Sequence, residues 1–264
     1  MLCSITVIVW NRPEYTQRTI DSLLANTDYP HEITVIDNAS DNIDYLLSIR
    51  KHVRLILNNT NIGKANANNL GWLQSRGQFV CTVENDIVFT DRLWLTKCVN
   101  ALSRVPELGI VSPTNHLRQI CQSNNAEWKP NLITRNGVQL DLITDKPHPF
   151  AFNGEYRFSD GTTSAVYAIE HMIPGTIVTR RDVINRVGYH AVKPVAYYSS
   201  ASDYTIRVRQ HGLLTAYLPD VQCEHLGMDE MFRHMMGNYV GTYMQAFKAA
   251  QRKQIDNYEF VGMK

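Results

Sequence analysis

Residues 4–12 of this 264-residue chain read SITVIVWNR, and Pro13 follows directly. The β-branched part of this stretch predicts a buried strand over residues 5–10, because such side chains favour extended backbone. Pro13 predicts the first turn of a helix, with Asn11 near its cap. Similar strand-like runs occupy residues 33–37, 53–57 and 78–83, and segments with helical spacing separate them. This alternation is typical of a parallel sheet covered by helices, so we predict an α/β fold.

The rest of the sequence predicts further elements around one long irregular region. Helices are expected at residues 41–50, 64–77 and 91–104, and a short strand at 110–111. The periodicity disappears between residues 115 and 160, and a connection of that length is usually functional, which favours a lid or an acceptor-binding loop. Beyond it we expect strands at 163–169, 176–179, 213–218 and 221–224, and helices at 181–187, 199–210 and 229–255. The last helix carries a methionine and aromatic stripe, which favours core packing, with a membrane-surface or homo-oligomer contact as the minority interpretations.

Composition excludes several classes of protein. The formal net charge of +1 gives no excess of Lys and Arg for a nucleic-acid surface. The five cysteines are scattered and form no C-x-x-C pair, which indicates a reducing compartment. No apolar run approaches the roughly 20 residues of a membrane span, and the first residues lack the features of a signal peptide. We therefore expect a cytoplasmic protein.

Polar residues follow each of the four predicted strands. They are Asn11 and Arg12 after the first, Asp37 and Asn38 after the second, Asn58 and Asn59 after the third, and Glu84, Asn85 and Asp86 after the fourth. Ligands of open α/β sheets bind outside the carboxyl ends of the strands, so this edge is the expected site. The sequence has neither G-x-G-x-x-G after the first strand nor G-x-x-x-x-G-K-[ST] anywhere, which disfavours a dehydrogenase and a P-loop enzyme.

Four segments together resemble the inverting family 2 glycosyltransferases of the GT-A fold. They are residues 4–12, 34–40 (TVIDNAS), 61–71 (NIGKANANNLG) and 84–86 (END). The resemblance covers residues 4–112 well and 160–228 more loosely. It implies a GT-A fold with a nucleotide-sugar-binding half at 1–112, and a smaller acceptor-binding half with a long C-terminal helix at 113–264.

The resemblance also implies residues that hold the donor nucleotide. Asp37 is expected to hydrogen-bond the base, although an Asx turn is the structural alternative for Asp-Asn-x-Ser. Lys64 is placed where it can meet a phosphate, and the alternative is a solvated lysine in a first helical turn. The full set expected at the nucleotide sugar is Asn11, Arg12, Asp37, Asn38, Lys64, Asn68, Asn85 and Asp86.

The Glu84-x-Asp86 pair resembles the acidic D-x-D position of the family, which implies Mn²⁺ or Mg²⁺ as cofactor. Carboxylate oxygens suit such hard cations, and the cation would stabilise the diphosphate leaving group. Asp86 is the expected direct ligand, whereas Glu84, which replaces the usual aspartate, is expected to act through water. His225 matches a family histidine that reaches the metal or diphosphate, and a structural histidine is the alternative.

An inverting transfer also needs a general base for the acceptor hydroxyl. Residues 202–209 (SDYTIRVR) resemble the family segment Glu-Asp-x-Asp-Leu-x-x-Arg, which implies Asp203 as the catalytic base. Ser202 and Thr205 depart from that segment, and an Asp in a first helical turn also compensates the helix dipole. Gly175 resembles the small residue that lines the sugar pocket, and Glu170-His171 is assigned to structure or acceptor contact.

The predicted function is transfer of a sugar from a nucleoside-diphosphate sugar to an acceptor hydroxyl by metal-assisted, inverting single displacement. A UDP-sugar is the favoured donor, and a glycan or another hydroxyl compound is the expected acceptor. A modified nucleic-acid base stays among the acceptors, although the charge balance disfavours it. Two alternatives are a nucleotidyltransferase of related fold and a catalytically degenerate protein that only binds nucleotide sugars.

Overall fold

The structure of the protein is a computed structural model. It describes residues 1–114, 131–135, 138–142, 152–158, 166–169, 175–192 and 200–226. Twelve strands belong to this described part: β1 (Cys3–Val9), β2 (His31–Asp37), β3 (Arg54–Leu57), β4 (Phe79–Glu84), β5 (Ile87–Phe89), β6 (Leu108–Thr114), β7 (Asn131–Arg135), β8 (Val138–Leu142), β9 (Phe152–Phe158), β10 (Val166–Ile169), β11 (Thr176–Arg180) and β12 (Leu214–His225). The helices in the same ranges are α1 (Pro13–Ala25), α2 (Asp44–Ile49), α3 (Lys64–Gln74), α4 (Trp94–Arg104), α5 (Arg181–Val187) and α6 (Ser200–Gln210).

One sheet joins almost all of these strands, in the order β3-β2-β1-β4-β11-β6-β12-β10-β9-β8-β7, and β5 pairs separately with β12. The first four strands in this order are parallel. Strand β11 is antiparallel to both its neighbours, and β12 is parallel to β6. Val9 lies opposite Asp37 and Ile8 opposite Glu84, so β1, β2 and β4 end side by side. The predicted α/β architecture is confirmed, and its polar strand ends meet at one edge.

Helices cover both faces of the sheet. Ile5 and Val7 pack in a core cluster with Ile20 of α1 and Leu95 of α4. A second cluster contains Trp72 of α3, Val183 and Ile184 of α5, and Tyr204 and Val208 of α6. Successive strand side chains point to opposite faces, so Thr6 faces α3. A Cβ atom at Gly71 would lie 2.3 Å from Thr6 Cγ2, which explains why a glycine stands where α3 crosses β1.

Several predicted boundaries are wrong. The region 115–160 was expected to lack regular structure, yet β7, β8 and β9 form antiparallel pairs within it. The two strands expected at 213–218 and 221–224 are the single strand β12, and β5 was not predicted. Helix α2 begins three residues later than expected, α4 also begins three later, and α3 ends at Gln74 instead of Gly77. The helix predicted at 229–255 and the pair Glu170-His171 lie outside the described residues.

Within the described ranges, no helix combines the length and the apolar character that crossing a membrane requires. The candidate site lies at the edge of the sheet where β1, β2 and β4 end side by side.

Candidate active site

The connection from β1 to α1 has an unusual backbone at the edge of the sheet. Asn11 and Arg12 both adopt left-handed conformations, with φ of 56° and 53°, which non-glycine residues rarely do. Hydrogen bonds hold the turn: the Asn11 amide donates to Ser40 Oγ at 2.7 Å, and Asn11 Oδ1 accepts from the Asp41 amide at 2.9 Å. Asn11 thus fixes the loops after β1 and β2 against each other, and Arg12, not Asn11, is the cap residue of α1.

Asp37 ends β2 and is almost fully buried, with 2% of its surface exposed. One carboxylate oxygen, Oδ2, accepts a hydrogen bond from the Ser40 amide at 3.0 Å, which is the Asx turn that the sequence offered as the alternative. The other, Oδ1, has no hydrogen-bond partner among the described residues. Burial, and in addition the Asp37 carboxylate, raise the pKa of the Tyr45 hydroxyl, so this phenol stays neutral beside the acid. The hydrogen-bonding capacity of Asp37 Oδ1 is therefore not used by the described residues.

Asn38 has a structural part in the same loop. Its Nδ2 donates to Asn61 Oδ1 at 2.7 Å, while its Oδ1 accepts from the Ile62 amide at 3.0 Å and from Asn58 Nδ2 at 3.3 Å. The residue is 1% exposed. The Asn38 side chain therefore joins the loops after β2 and β3, and the predicted contact with the nucleotide stays a prediction.

Helix α3 begins at the same edge. Its cap residue Gly63 has φ of 81°, a value that glycine adopts without strain, and Lys64 is the first helical residue. Asn68 is 1% exposed, and its Oδ1 has no partner among the described residues. Asn69 instead exchanges two hydrogen bonds with the His190 backbone, at 2.8 and 2.9 Å.

Glu84, Asp86 and His225, which we call the triad, come together although His225 is far from the two acids in the chain. The pairing of β5 with β12 sets His225 opposite Ile87, and the Leu226 amide donates to the Asp86 carbonyl at 2.7 Å. His225 Nε2 lies 3.3 Å from Asp86 Oδ1 and 3.9 Å from Glu84 Oε2. One ligand atom from each residue lies within 4.8 Å of the others.

The triad fits a divalent cation. Octahedral ligand atoms at about 2.1 Å from a cation are about 3 Å apart, close to the 3.3 Å between His225 Nε2 and Asp86 Oδ1. Asp86 Oδ1 is buried and has no hydrogen-bond partner among the described residues. An oxygen in that position is costly unless a cation or ligand satisfies it. The longer distance from His225 to Glu84 is in keeping with a less direct role for Glu84.

Each carboxylate of the triad also has a cationic partner. Lys64 Nζ forms an ion pair with Glu84 Oε1, and both side chains are about one quarter exposed, at 25% and 27%. Arg12 Nη1 lies 3.5 Å from Asp86 Oδ2. The sequence had placed Lys64 and Arg12 at the nucleotide but did not predict that either would contact the acids. Both cations lie where a diphosphate beside the triad would meet them.

Asn85, between the two acids, is tied to the protein backbone and to α1. Its Nδ2 donates to Thr16 Oγ1 at 2.9 Å and to the Asn11 carbonyl at 3.3 Å. This side chain therefore fixes the β4–β5 turn against the turn after β1. Its predicted contact with the nucleotide stays a prediction.

Asp203 lies in the first turn of α6 and is 1% exposed. Its Oδ2 is 3.4 Å from Arg207 Nε, one helical turn later. The Arg207 guanidinium also donates to the carbonyls of Val187 and Tyr189, so it anchors α6 to the end of α5. Tyr204, the next residue, packs edge-on against Trp72 of α3. Asp203 is thus held rigidly at the start of a helix, as either a base or a structural acid would be.

Gly175 precedes β11 and touches the triad region. Its carbonyl accepts from the Glu84 amide at 2.9 Å. A Cβ atom there would lie 2.6 Å from Ile87 Cδ1 and 3.6 Å from His225 Cε1. The small residue expected at the sugar pocket therefore lies next to the triad.

Trp10 was not singled out from the sequence. It follows Val9, whose register partner is Asp37, and it is 45% exposed, which is uncommon for so large an apolar side chain. The sequence signal that could have identified it is its position between a buried strand and a polar turn.

The sequence profile of glycosyl transferase family 2 matches residues 4–188. The chain belongs to glycosyl transferase family 2. The match includes both acids of the triad, Asp37 and Lys64, whereas Asp203 and His225 lie beyond its end. An uncharacterized protein of Mycobacterium tuberculosis is 35% identical to this family 2 chain, and the aligned part covers 55% of the chain and 47% of the relative. The chain thus spans about half the length of the curated relatives it matches.

Solved structures share the fold of this family 2 protein. A mannosyltransferase from Pyrobaculum calidifontis, in complex with GDP-Man and Mn²⁺, has a TM-score of 0.57 at 17% identity, covering 84% of this chain and 56% of that one. GalNAc-T7 with UDP, GalNAc and Mn²⁺ has a TM-score of 0.59 at 14% identity, covering 85% and 43%. TarS of S. aureus, residues 1–349, has a TM-score of 0.54 at 15% identity, covering 89% and 63%. The GT-A fold predicted from the sequence is confirmed.

Proposed function

We propose that this protein transfers a sugar from a nucleoside-diphosphate sugar to an acceptor hydroxyl, with metal assistance and inversion at the anomeric carbon. The observation that carries the proposal is the triad at the sheet edge, with Asp37 at the end of β2, across β1 from Glu84, and with Arg12 and Lys64 beside the acids. This edge offers groups that could bind a nucleotide base, a diphosphate and a divalent metal ion. Residues 1–112 are proposed to hold the donor and residues 113–264 the acceptor.

The donor nucleotide is proposed to bind over the ends of β1 and β2. Asp37 Oδ1, buried without a partner among the described residues, would accept a hydrogen bond from the base. Trp10 would stack on the base, because its exposed ring stands one residue past the strand position that pairs with Asp37. A UDP-sugar remains the favoured donor. Solved structures of the same fold contain UDP or UDP-GlcNAc as well as GDP-Man.

Asp86 and His225 are proposed as direct metal ligands, with Glu84 acting through water. Two carboxylates and one imidazole suit Mn²⁺ better than Mg²⁺, since Mg²⁺ strongly prefers oxygen ligands. Bound there, the cation would stabilise the negative charge that develops on the departing diphosphate. Mn²⁺ also accompanies two of the structures of similar fold.

Asp203 is proposed as the general base that takes the proton of the acceptor hydroxyl as its oxygen attacks the anomeric carbon. A base must be held within hydrogen-bonding reach of that proton, which requires a fixed carboxylate. The ion pair with Arg207 and the anchoring of Arg207 to two carbonyls support such fixation.

A thermal-shift screen tests the donor proposal. UDP, GDP, CDP and ADP are added separately to the protein, with and without Mn²⁺. At a concentration of one hundred times Kd, a ligand stabilises by about 2.7 kcal/mol, which raises Tm by about 5 °C or more for a chain of this size. We expect such a shift for one base, with Mn²⁺ present. If no nucleoside diphosphate raises Tm in the presence of Mn²⁺, the proposed function is wrong.

Trp10→Ala is expected to weaken binding of the preferred nucleoside diphosphate. Stacking of a base on an aromatic ring contributes about 1–3 kcal/mol, so Kd should rise about tenfold or more. Leu93→Ala is the matched control, because Leu93 is 48% exposed and precedes α4. Calorimetric titration measures both variants. Equal Kd values for Trp10→Ala and Leu93→Ala would contradict stacking.

A further inference from the structure

We propose that Lys64 and Arg12 pair with the acids of the triad in the free protein, and that the diphosphate of the donor binds both side chains in exchange. This exchange makes binding of metal and of nucleotide depend on each other. It rests on the proposed function, because it requires a diphosphate and a divalent cation at the triad.

The contacts assign one cation to each acid. Lys64 Nζ pairs with Glu84 Oε1, and Arg12 Nη1 lies 3.5 Å from Asp86 Oδ2. The Glu84, Asp86 and His225 side chains are only 13–27% exposed. At such partly buried positions, water screens charge less than on an open surface. Lys64 and Arg12 therefore largely compensate the negative charges of Glu84 and Asp86 while both ion pairs are formed.

This neutralisation opposes binding of a metal ion by itself. A divalent cation approaching the triad would meet two paired carboxylates and the repulsion of a lysine and an arginine. A diphosphate reverses the balance, because its oxygens are strong acceptors for Lys and Arg. Once Lys64 and Arg12 turn to the phosphates, the oxygens of both carboxylates are available to the metal.

Only side chains need to move in this exchange. The Lys64 backbone is fixed as the first residue of α3 after Gly63. The adjacent Asn11 donates one hydrogen bond to Ser40 and accepts one from Asp41, and both hold the turn that carries Arg12. The Arg12 side chain is 60% exposed, and its guanidinium lies 5.7 Å from the centre of the Tyr15 ring. The side chains of Lys64 and Arg12 can therefore change conformation while the backbone at both positions stays in place.

The exchange also accounts for the glutamate at position 84. A glutamate is one methylene longer than the aspartate usual in the family segment. Here that reach lets Oε1 meet Lys64 while Oε2 faces His225 at 3.9 Å. Glu84 thus lies between Lys64 and His225, the proposed metal ligand.

The test compares Lys64→Met with the unaltered protein and with Lys97→Met. Lys97 is a close control, because its ion pair with Asp91 has the same exposures, 25% and 27%, and lies outside the triad. Free Mn²⁺, counted by its EPR signal, gives the Kd for Mn²⁺ without nucleotide. Calorimetry then gives the Kd for UDP with and without saturating Mn²⁺. By linkage, the ratio of the two UDP values equals the coupling between the ligands.

We expect Lys64→Met to bind Mn²⁺ about 5- to 10-fold more tightly without nucleotide, and to lower the coupling by about the same factor. Arg12→Met is a second variant with the same expectation, while Lys97→Met should match the unaltered protein. The coupling between Mn²⁺ and UDP distinguishes the exchange from simple charge repulsion. A lysine that stayed beside Glu84 would weaken Mn²⁺ binding equally with and without UDP, so Lys64→Met would leave the coupling unchanged.

Two other outcomes would overturn the exchange, and they differ in what else they imply. If Lys64→Met and Arg12→Met keep the coupling of the unaltered protein, the exchange is wrong and the proposed function stands. If neither the unaltered protein nor any variant binds Mn²⁺, with or without UDP, the metal site of the proposed function is wrong as well.

Discussion

Asp203→Asn is expected to lower turnover of the sugar nucleotide about 1000-fold, because general-base catalysis typically contributes about 10²–10⁴-fold. Asparagine keeps the shape of the side chain and cannot accept the proton of the attacking hydroxyl. The nucleotide-dependent rise in Tm should persist, since Asp203 is not expected to contact the donor. Release of nucleoside diphosphate, with water replacing the acceptor, measures the effect.

The surroundings of Asp203 require a stability measurement beside the activity. Breaking a buried ion pair by removing one charge can cost about 3–5 kcal/mol, and Asp203 pairs with Arg207 in a buried position. Denaturant unfolding separates loss of folded protein from loss of chemistry. Asp182→Asn is an exposed control: Asp182 also lies in a first helical turn, of α5, and pairs with Arg180 at 3.0 Å, but its side chain is 71% exposed.

Full turnover in folded Asp203→Asn would remove Asp203 from the mechanism and leave it a structural partner of Arg207. If the fraction of folded protein falls by the same factor as turnover, the same conclusion follows.

Asp86→Asn is expected to lower turnover by about 100-fold or more and to weaken Mn²⁺ binding, because charge stabilisation by a bound cation contributes several kcal/mol. The asparagine keeps one oxygen near His225 but loses the negative charge. Glu84→Gln should have a smaller effect, about tenfold, as expected for a group that acts through a water ligand. Turnover, together with Mn²⁺ counted by EPR, measures both variants.

Asp28→Asn is the control for these charge removals, because Asp28 pairs with Arg92 at 2.8 Å in an exposed position away from the triad. Equal losses in Glu84→Gln and Asp86→Asn would contradict the ranking of the two ligands. Undiminished Mn²⁺ binding in Asp86→Asn would contradict the metal site itself.

The parallel part of the sheet was predictable because β1, β2 and β4 are buried along most of their length. Such strands read as continuous β-branched runs, as residues 4–9 do, and each ends in polar residues that cannot stay in the core. The order of strand ends then follows from topology, which brings Asp37, Glu84 and the turn at Asn11 to one edge.

The second half of the sheet was not predictable in the same way. Strands β7 to β9 pair antiparallel in a region of scattered Asn, Pro and His, where single aromatics hide the alternation of side chains. Strand β12 was expected as two strands because Pro219 and Asp220 interrupt its pattern. Its register with β6 shifts between Leu218 and Gln222, which accommodates the interruption within one strand.

The triad was expected from family resemblance, but its geometry depends on contacts that are invisible in the sequence. His225 reaches Asp86 because the three-residue strand β5 pairs with the end of β12. The pairs Lys64–Glu84 and Arg12–Asp86 join residues 20 and 74 positions apart. No local pattern encodes such pairs, since they arise only when the strand ends meet.

The central claim is transfer at the anomeric carbon of a nucleoside-diphosphate sugar, and cleavage in ¹⁸O-labelled water tests it directly. The protein is incubated with Mn²⁺ and UDP-GlcNAc or GDP-mannose, and the products are followed by ³¹P NMR and mass spectrometry. We expect release of nucleoside diphosphate, with ¹⁸O in the sugar and none in the phosphate. Label in a phosphate group would indicate attack at phosphorus, as in a nucleotidyltransferase. Intact donor under conditions where nucleotide binds would indicate a binding protein, and either result would contradict glycosyl transfer by this protein.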